Sequence, residues 1–289
     1  MNKIGTNSSV KGTIHENKFR IKKHFGQNFI VDQSILTQIV EKSNITEDIN
    51  VIEVGPGFGS LTELLLEKAN KVLAYEIDKD LIPILKKNFK NQKKLLLVNK
   101  DILKVDIDKE IKELLGDNLE TIVVSNLPYY ITTPILMKFL ETSHLVKKMI
   151  FMVQLEVAKR ITSEPNTKDY NALSIAIQYR AEAQILLKVP RGVFIPEPNV
   201  DSAVIEVKIK DQIPNQAKYE DFFFQLIHQG FSQRRKTLVN NIFHHYPQLS
   251  KIELESILKT EGINPQIRSE ALSVNEFVRL SDVLYPLIH

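Results

Sequence analysis

An asparagine, a proline and two tyrosines follow an apolar run: Asn126-Leu127-Pro128-Tyr129-Tyr130 comes directly after Thr121-Ile122-Val123-Val124-Ser125. The run reads as a strand, so the motif stands at a strand's C-terminal end, where open α/β sheets place their ligands. The Asn126 side-chain carbonyl and a nearby backbone carbonyl can accept both protons of a planar exocyclic amine. A tyrosine ring can stack on the base that carries it. The same residues also suit an ordinary turn with a packed aromatic, so the motif alone leaves both readings open.

A second motif lies upstream, where Val51-Ile52-Glu53-Val54 runs into Gly55-Pro56-Gly57-Phe58-Gly59-Ser60. An apolar strand enters a glycine-rich turn that opens a helix. A dinucleotide fingerprint would place its third glycine where Ser60 stands, and no Lys-Ser/Thr pair follows to make a phosphate cradle. The glycines let backbone approach a ligand closely without a pyrophosphate. Glu76 ends the next apolar run, about twenty residues on, where a carboxylate can accept both hydroxyls of a ribose. Asp101 follows a third run, Leu95-Leu96-Leu97-Val98. The glycines by themselves fit a plain tight turn equally. Glycine turn, acidic strand end and second acidic strand end in succession are the usual way of holding S-adenosylmethionine.

These residues need a scaffold that brings strand ends together. Strands are predicted at 49–54, 71–76, 95–98, 121–125 and 148–153, with helices at 32–42, 60–69, 79–89, 107–115, 133–141, 155–162 and 170–179. Asp32 is the expected N-cap of the first of these helices. Residues 185–189 and 203–209 are β-rich, with a proline-rich stretch between them, and an antiparallel last hairpin fits. The alternation predicts a mainly parallel sheet with helices on both faces. Beyond residue 212 strands stop, and 219–227, 235–243, 252–258 and 274–285 read as helices. The expected organisation is a flexible basic leader at 1–21, a catalytic domain at 22–211 and a small all-helical domain at 212–289.

Composition narrows the classes. The 289 residues can bury a large core. No apolar run approaches the ~20 residues of a membrane span, and the leader lacks the hydrophobic stretch of a secretory signal. There is no cysteine, which excludes disulfides and thiolate metal sites and fits a cytoplasmic protein. The seven histidines show no metal-ligand spacing, so no metal is expected, and the His244-His245 pair reads as surface. A net charge of +3 does not by itself announce nucleic acid. Arginine is scarce, yet Arg234-Arg235-Lys236 forms a cluster. It is either a solvated helix face or a phosphate contact, for which arginine offers a planar fork. Lys11, Lys18, Arg20, Lys22 and Lys23 make the leader basic, of the kind that stays disordered until it meets a polyanion.

Taken in order, several blocks resemble the ribosomal RNA adenine N6-dimethyltransferase family, most of all its bacterial small-subunit branch. They are His24-Phe25-Gly26-Gln27-Asn28-Phe29, the turn from Glu53 to Gly59, Asp101-Ile102, Asn126 to Tyr130, Gln154 to Ala158, Phe194 to Ser202 and Phe231 to Leu238. His24 stands where the family usually carries Arg or Lys, Phe58 replaces a commoner Leu or Thr, and the leader is extra. The resemblance implies a Rossmann-like class I S-adenosylmethionine-dependent methyltransferase sheet with a helical RNA-binding domain. It implies cofactor binding by Asn28, Ile30, Gly55, Gly57, Glu76, Asp101 and Asn126, with Asn28 reaching the methionine end. From the arginine cluster and the basic leader, RNA contacts are expected from Arg234, Arg235, Lys236, Lys22 and Lys23.

An adenine N6 is a weak nucleophile, because its lone pair is delocalised into the ring. The side-chain carbonyl of Asn126 and the main-chain carbonyl of Leu127 can hold the amine and favour a more pyramidal nitrogen, with Pro128 stiffening the turn. Tyr129 would stack on one face of the flipped base. Phe194 would either cover the other face or serve as a core aromatic. The expected activity is dimethylation of two adjacent adenines near the 3′ end of small-subunit ribosomal RNA, by a monomer acting on that RNA or on the immature small subunit. Three alternatives remain: a large-subunit enzyme of the macrolide-resistance type, a non-catalytic assembly or transcription factor on the same fold, and a small-molecule methyltransferase, which would leave the arginine cluster and helical tail unexplained. Intact Gly55, Gly57, Glu76, Asp101 and Asn126 argue against the second.

Overall fold

A computed structural model describes residues 3–22 and 25–289. The chain runs through α1 (Asn7–Glu16), β1 (Phe29–Ile30), α2 (Gln33–Lys42), β2 (Ile49–Val54), α3 (Ser60–Lys68), β3 (Val72–Tyr75), α4 (Leu81–Asn88) and β4 (Leu95–Val98). It continues with α5 (Ile107–Glu110), β5 (Glu120–Asn126), α6 (Thr132–Thr142), β6 (Val146–Gln154), α7 (Leu155–Ile161), α8 (Ala172–Arg180), β7 (Ala181–Val189), β8 (Phe194–Ile195) and β9 (Ser202–Ile209). Four helices close it: α9 (Glu220–Gly230), α10 (Leu238–His245), α11 (Lys251–Thr260) and α12 (Val274–Ile288).

Seven strands form one sheet in the order β4-β3-β2-β5-β6-β9-β7. β2 pairs in parallel with β3 and β5, β3 with β4, and β5 with β6, whereas β9 runs antiparallel to β6. The central strands are apolar on both faces, as a sheet covered by helices on each side requires. Val51, Leu73, Val123 and Phe151 are fully buried. The strand order reverses between β2 and β5, and such a switch point is where a doubly wound sheet opens a crevice at its C-terminal edge.

Local chemistry sets the helix starts. Asp32 accepts from the N–H groups of Ser34 and Ile35 and caps α2, as its position in the sequence predicts. α3 instead starts at Gly59 with φ +94°, and a Cβ there would lie 2.3 Å from the Phe89 ring. Only glycine fits both the dihedral and the space.

The molecule divides into two compact units. The first holds the chain up to Ala158 together with Ala183–Ile209. The second holds Lys159–Glu182 and Lys210–His289. Two expectations from sequence are therefore corrected. The leader is not a flexible arm: Thr6 caps α1, Val10 is fully buried, and Phe19 packs on Phe58 with ring centroids 5.2 Å apart. Its apolar residues are isolated among charges in the sequence and become core only against folded neighbours. The helical unit also begins earlier than residue 212. Tyr170, Ile175 and Tyr179 are buried in its core with Phe222, Phe223 and Leu226. The Tyr179 hydroxyl donates to Glu220 Oε1 at 2.8 Å, and Arg180 pairs with the same carboxylate at 2.9 Å.

Candidate active site

β2 delivers the chain into the glycine turn, and β5 delivers Asn126 beside it. The backbone N–H of Val54 donates to Ser125 Oγ at 2.8 Å, which ties the two strand ends together. Within the turn, Gly57 has φ +60°, and a Cβ there would press on the Phe29 ring at 3.1 Å. A Cβ on Gly55 would meet nothing within 4 Å, so the backbone there faces open space.

Two buried carboxylates stand behind this turn. Glu53 accepts from Thr62 Oγ1 at 2.6 Å. Burial pushes its carboxyl up to about 8, against the pull of the Thr62 hydrogen bond and with a small addition from Glu76. Glu76 follows β3 and accepts the N–H of Asp78 at 2.8 Å. Burial pushes Glu76 up to about 7, partly offset by backbone N–H groups of Asp78, Gly57 and Ile77. Asp101 caps the short turn Ile102–Lys104 through Oδ1, which accepts from the Leu103 N–H at 3.1 Å.

The front segment is tied down at Asp78. Lys22 Nζ lies 2.5 Å from Asp78 Oδ1 and 2.8 Å from Asp80 Oδ2. Gln27 Nε2 donates to the other Asp78 oxygen at 2.8 Å. Burial raises the Asp78 carboxyl, but Lys22, Gln27 and the Asp80 N–H outweigh it and leave it below its usual range. Further on, β1 pairs antiparallel with β8 and places Asn28 over the end of β5. There Asn126 Nδ2 donates to the main-chain oxygen of Asn28 at 3.1 Å. No described residue donates to Asn126 Oδ1.

Asn28, Ile30, Gly55, Gly57, Glu76, Asp101 and Asn126 all line one cavity, and so do Leu127, Pro128 and Tyr129. Its volume is about 1060 Å³ counted out to open solvent. Tyr129 is half-buried, its hydroxyl sharing a 2.7 Å hydrogen bond with Ser202 Oγ, and burial foremost raises its phenol. Two residues differ from the roles expected of them. Phe194 is 3% exposed and packed in the apolar core, off the cavity wall. Lys22 is engaged by Asp78 and Asp80 rather than projecting as a free cation. Tyr75 is buried in β3, lines the cavity and donates to Glu110 Oε2 at 2.6 Å.

Arg234, Arg235 and Lys236 lie exposed in the turn between α9 and α10, not on a helix, because Thr237 caps α10. Arg234 Nη2 donates to the Lys168 carbonyl at 2.6 Å. Lys23 and His24 lie outside the described residues. Sequence reasoning gave no role of their own to Gln27, Asp78 and Tyr130, although Gln27 and Tyr130 stand within the quoted motifs and Asp78 lies two residues after Glu76. Among the described residues no group of three or more His, Cys, Asp or Glu is placed to hold a metal ion. No helix among them is long and apolar enough to cross a membrane.

The sheet order, the glycine turn and the acidic strand ends around one cavity define a Rossmann-like class I S-adenosylmethionine-dependent methyltransferase fold. Two solved structures share it. A dimethyladenosine transferase from Plasmodium falciparum superposes with a TM-score of 0.72 at 24% identity, covering 87% of this chain and 95% of that one. The 23S rRNA methyltransferase ErmE superposes with a TM-score of 0.66 at 24% identity, covering 88% and 98%. The family model for ribosomal RNA adenine dimethylase matches residues 18–285, and the chain belongs to that family. Among similar curated proteins is the ribosomal RNA small subunit methyltransferase A of Lactococcus lactis, 47% identical over 95% of this chain and 93% of its own. The protein of the same name from Bacillus pumilus is 45% identical over 98% of each.

Proposed function

We propose that this protein dimethylates the N6 amine of two adjacent adenines near the 3′ end of small-subunit ribosomal RNA, using S-adenosylmethionine. The observation that carries the chemistry is the commitment of Asn126. A carbonyl can only accept, so the Asn28 oxygen holds the NH2 end of the Asn126 amide. The acceptor end, Oδ1, remains for a substrate amine. Asn126 Oδ1 and the Leu127 carbonyl accept the two amine protons and turn the nitrogen lone pair towards the cofactor side. Such alignment is worth roughly 7–11 kcal/mol in favourable cases. Tyr129 supports one face of the base.

The residues present fit the cofactor. Glu76 offers a buried carboxylate for the ribose hydroxyls, Asp101 a second acceptor, and the open backbone at Gly55 a close approach for the methionine end. When bound, S-adenosylmethionine supplies an electrophilic methyl group on sulfur. The amine needs no prior deprotonation, because the alkylated nitrogen is strongly acidic and releases its proton to water. This accords with a motif that holds neither His nor Glu. The exposed Arg234, Arg235 and Lys236 are the candidate phosphate contacts, and the names of the curated relatives support the small subunit as target.

The test is to incubate the protein with methyl-labelled cofactor and immature small subunits, free small-subunit RNA or large-subunit RNA, then map modified nucleotides. Two adjacent dimethyladenosines in small-subunit RNA are expected. Label confined to large-subunit RNA would overturn the assignment.

A further inference from the structure

Two consecutive tyrosines leave β5 with opposite fates. Tyr129 is half-buried and tethered to Ser202. Tyr130 is 59% exposed, the most open aromatic ring among the large exposed hydrophobics, yet it also lines the cavity. Its ring lies over Gly26: a Cβ on that glycine would sit 3.2 Å from Tyr130 Cδ1 and 3.3 Å from Pro128 Cβ. One edge of the ring is thus backed by the front segment, and no described residue bonds its hydroxyl. A tyrosine ring that lines the cavity and is open to solvent presents a flat π-face on which an incoming base can stack.

We propose that Tyr130 is a stacking platform for the nucleotide next to the adenine held at Asn126. This inference rests on the proposed reaction. Moving one adenine out of its stack into the cavity strips its neighbour of a stacking partner, which is part of the cost of flipping. A second ring at the mouth restores that contact. Tyr130 and Asn126 line the same cavity, four residues apart along a turn that contains Pro128, so both can face one dinucleotide. Because stacking needs only a flat π-face, the platform serves either of two adjacent adenines in turn.

The test compares wild type, Tyr130→Phe and Tyr130→Ala on immature small subunits, with cofactor affinity measured by calorimetry on the same preparations. Tyr130→Ala should raise KM for RNA by about tenfold, with kcat, cofactor affinity and melting temperature near wild type, and Tyr130→Phe should behave as wild type. Wild-type KM in Tyr130→Ala would overturn the platform. So would a Tyr130→Phe variant as impaired as Tyr130→Ala, since the hydroxyl and not the ring would then matter. A wild-type protein that transfers no methyl group to small-subunit RNA would instead overturn the reaction on which the inference rests.

Discussion

The side-chain amide of Asn126 donates to the main-chain oxygen of Asn28 at 3.1 Å, across 98 positions of sequence. This bond makes the front segment part of the candidate active site. The segment is itself held by Lys22 and Gln27 on Asp78, two residues beyond Glu76, the proposed ribose acceptor. The orientation of Asn126 is therefore coupled to the cavity wall proposed to face the cofactor.

Glu76 is held near 7 by burial when its cavity carries no ligand. Ribose hydroxyls donate best to an ionised carboxylate. Cofactor affinity should rise with pH up to about 7 and then level off. Glu76→Gln should weaken binding by the loss of a charged hydrogen bond, ~1.5–3 kcal/mol, and should flatten the pH dependence. Calorimetry across that range checks both, and an unchanged affinity would remove Glu76 from the site.

Glu53 concerns stability. Its carboxyl is raised by burial from 4.5 to about 8, so the folded state binds a proton that the unfolded state has already released between those values. Its contribution is fully present below the unfolded pKa and is lost as pH rises through about 8. Glu53→Gln keeps an acceptor for Thr62 and removes the titration. Melting temperatures should fall with rising pH more steeply in wild type than in the variant. Parallel curves would show that Glu53 is not the titrating group.

The arginine turn separates two roles. Arg234 is bonded to the Lys168 carbonyl, whereas Arg235 makes no hydrogen bond or ion pair among the described residues. Arg235→Gln should lower the slope of log affinity against log salt by ~0.7–0.9 for ribosomal RNA, with no change in melting temperature. Arg234→Gln should lower melting temperature as well. An unchanged salt slope in both would make the turn purely structural.

Much of the site was legible because local chemistry forced it. A strand entering a turn that needs positive φ at Gly57 and Gly59 leaves few alternatives, and Glu76 and Asp101 follow from strand ends in register. What failed depends on distant partners. Lys22 looks like a free cation until Asp78 and Asp80 are beside it, and Phe194 looks equally suited to a base or a core. The leader's Val10 and Phe19 sit among polar neighbours in sequence and are buried only by the fold. Tyr170 and Tyr179 join the helical unit through contacts with α9 that no local pattern announces.

The account turns on Asn126 holding the reacting amine while other residues hold the cofactor. The direct measurement is single-turnover methyl transfer by Asn126→Ala on immature small subunits, with cofactor and RNA affinities determined alongside. The account predicts a rate at least about 100-fold below wild type, comparable to removing a preorganised group that acts on the transition state, with both affinities within about twofold. Transfer near the wild-type rate would contradict it.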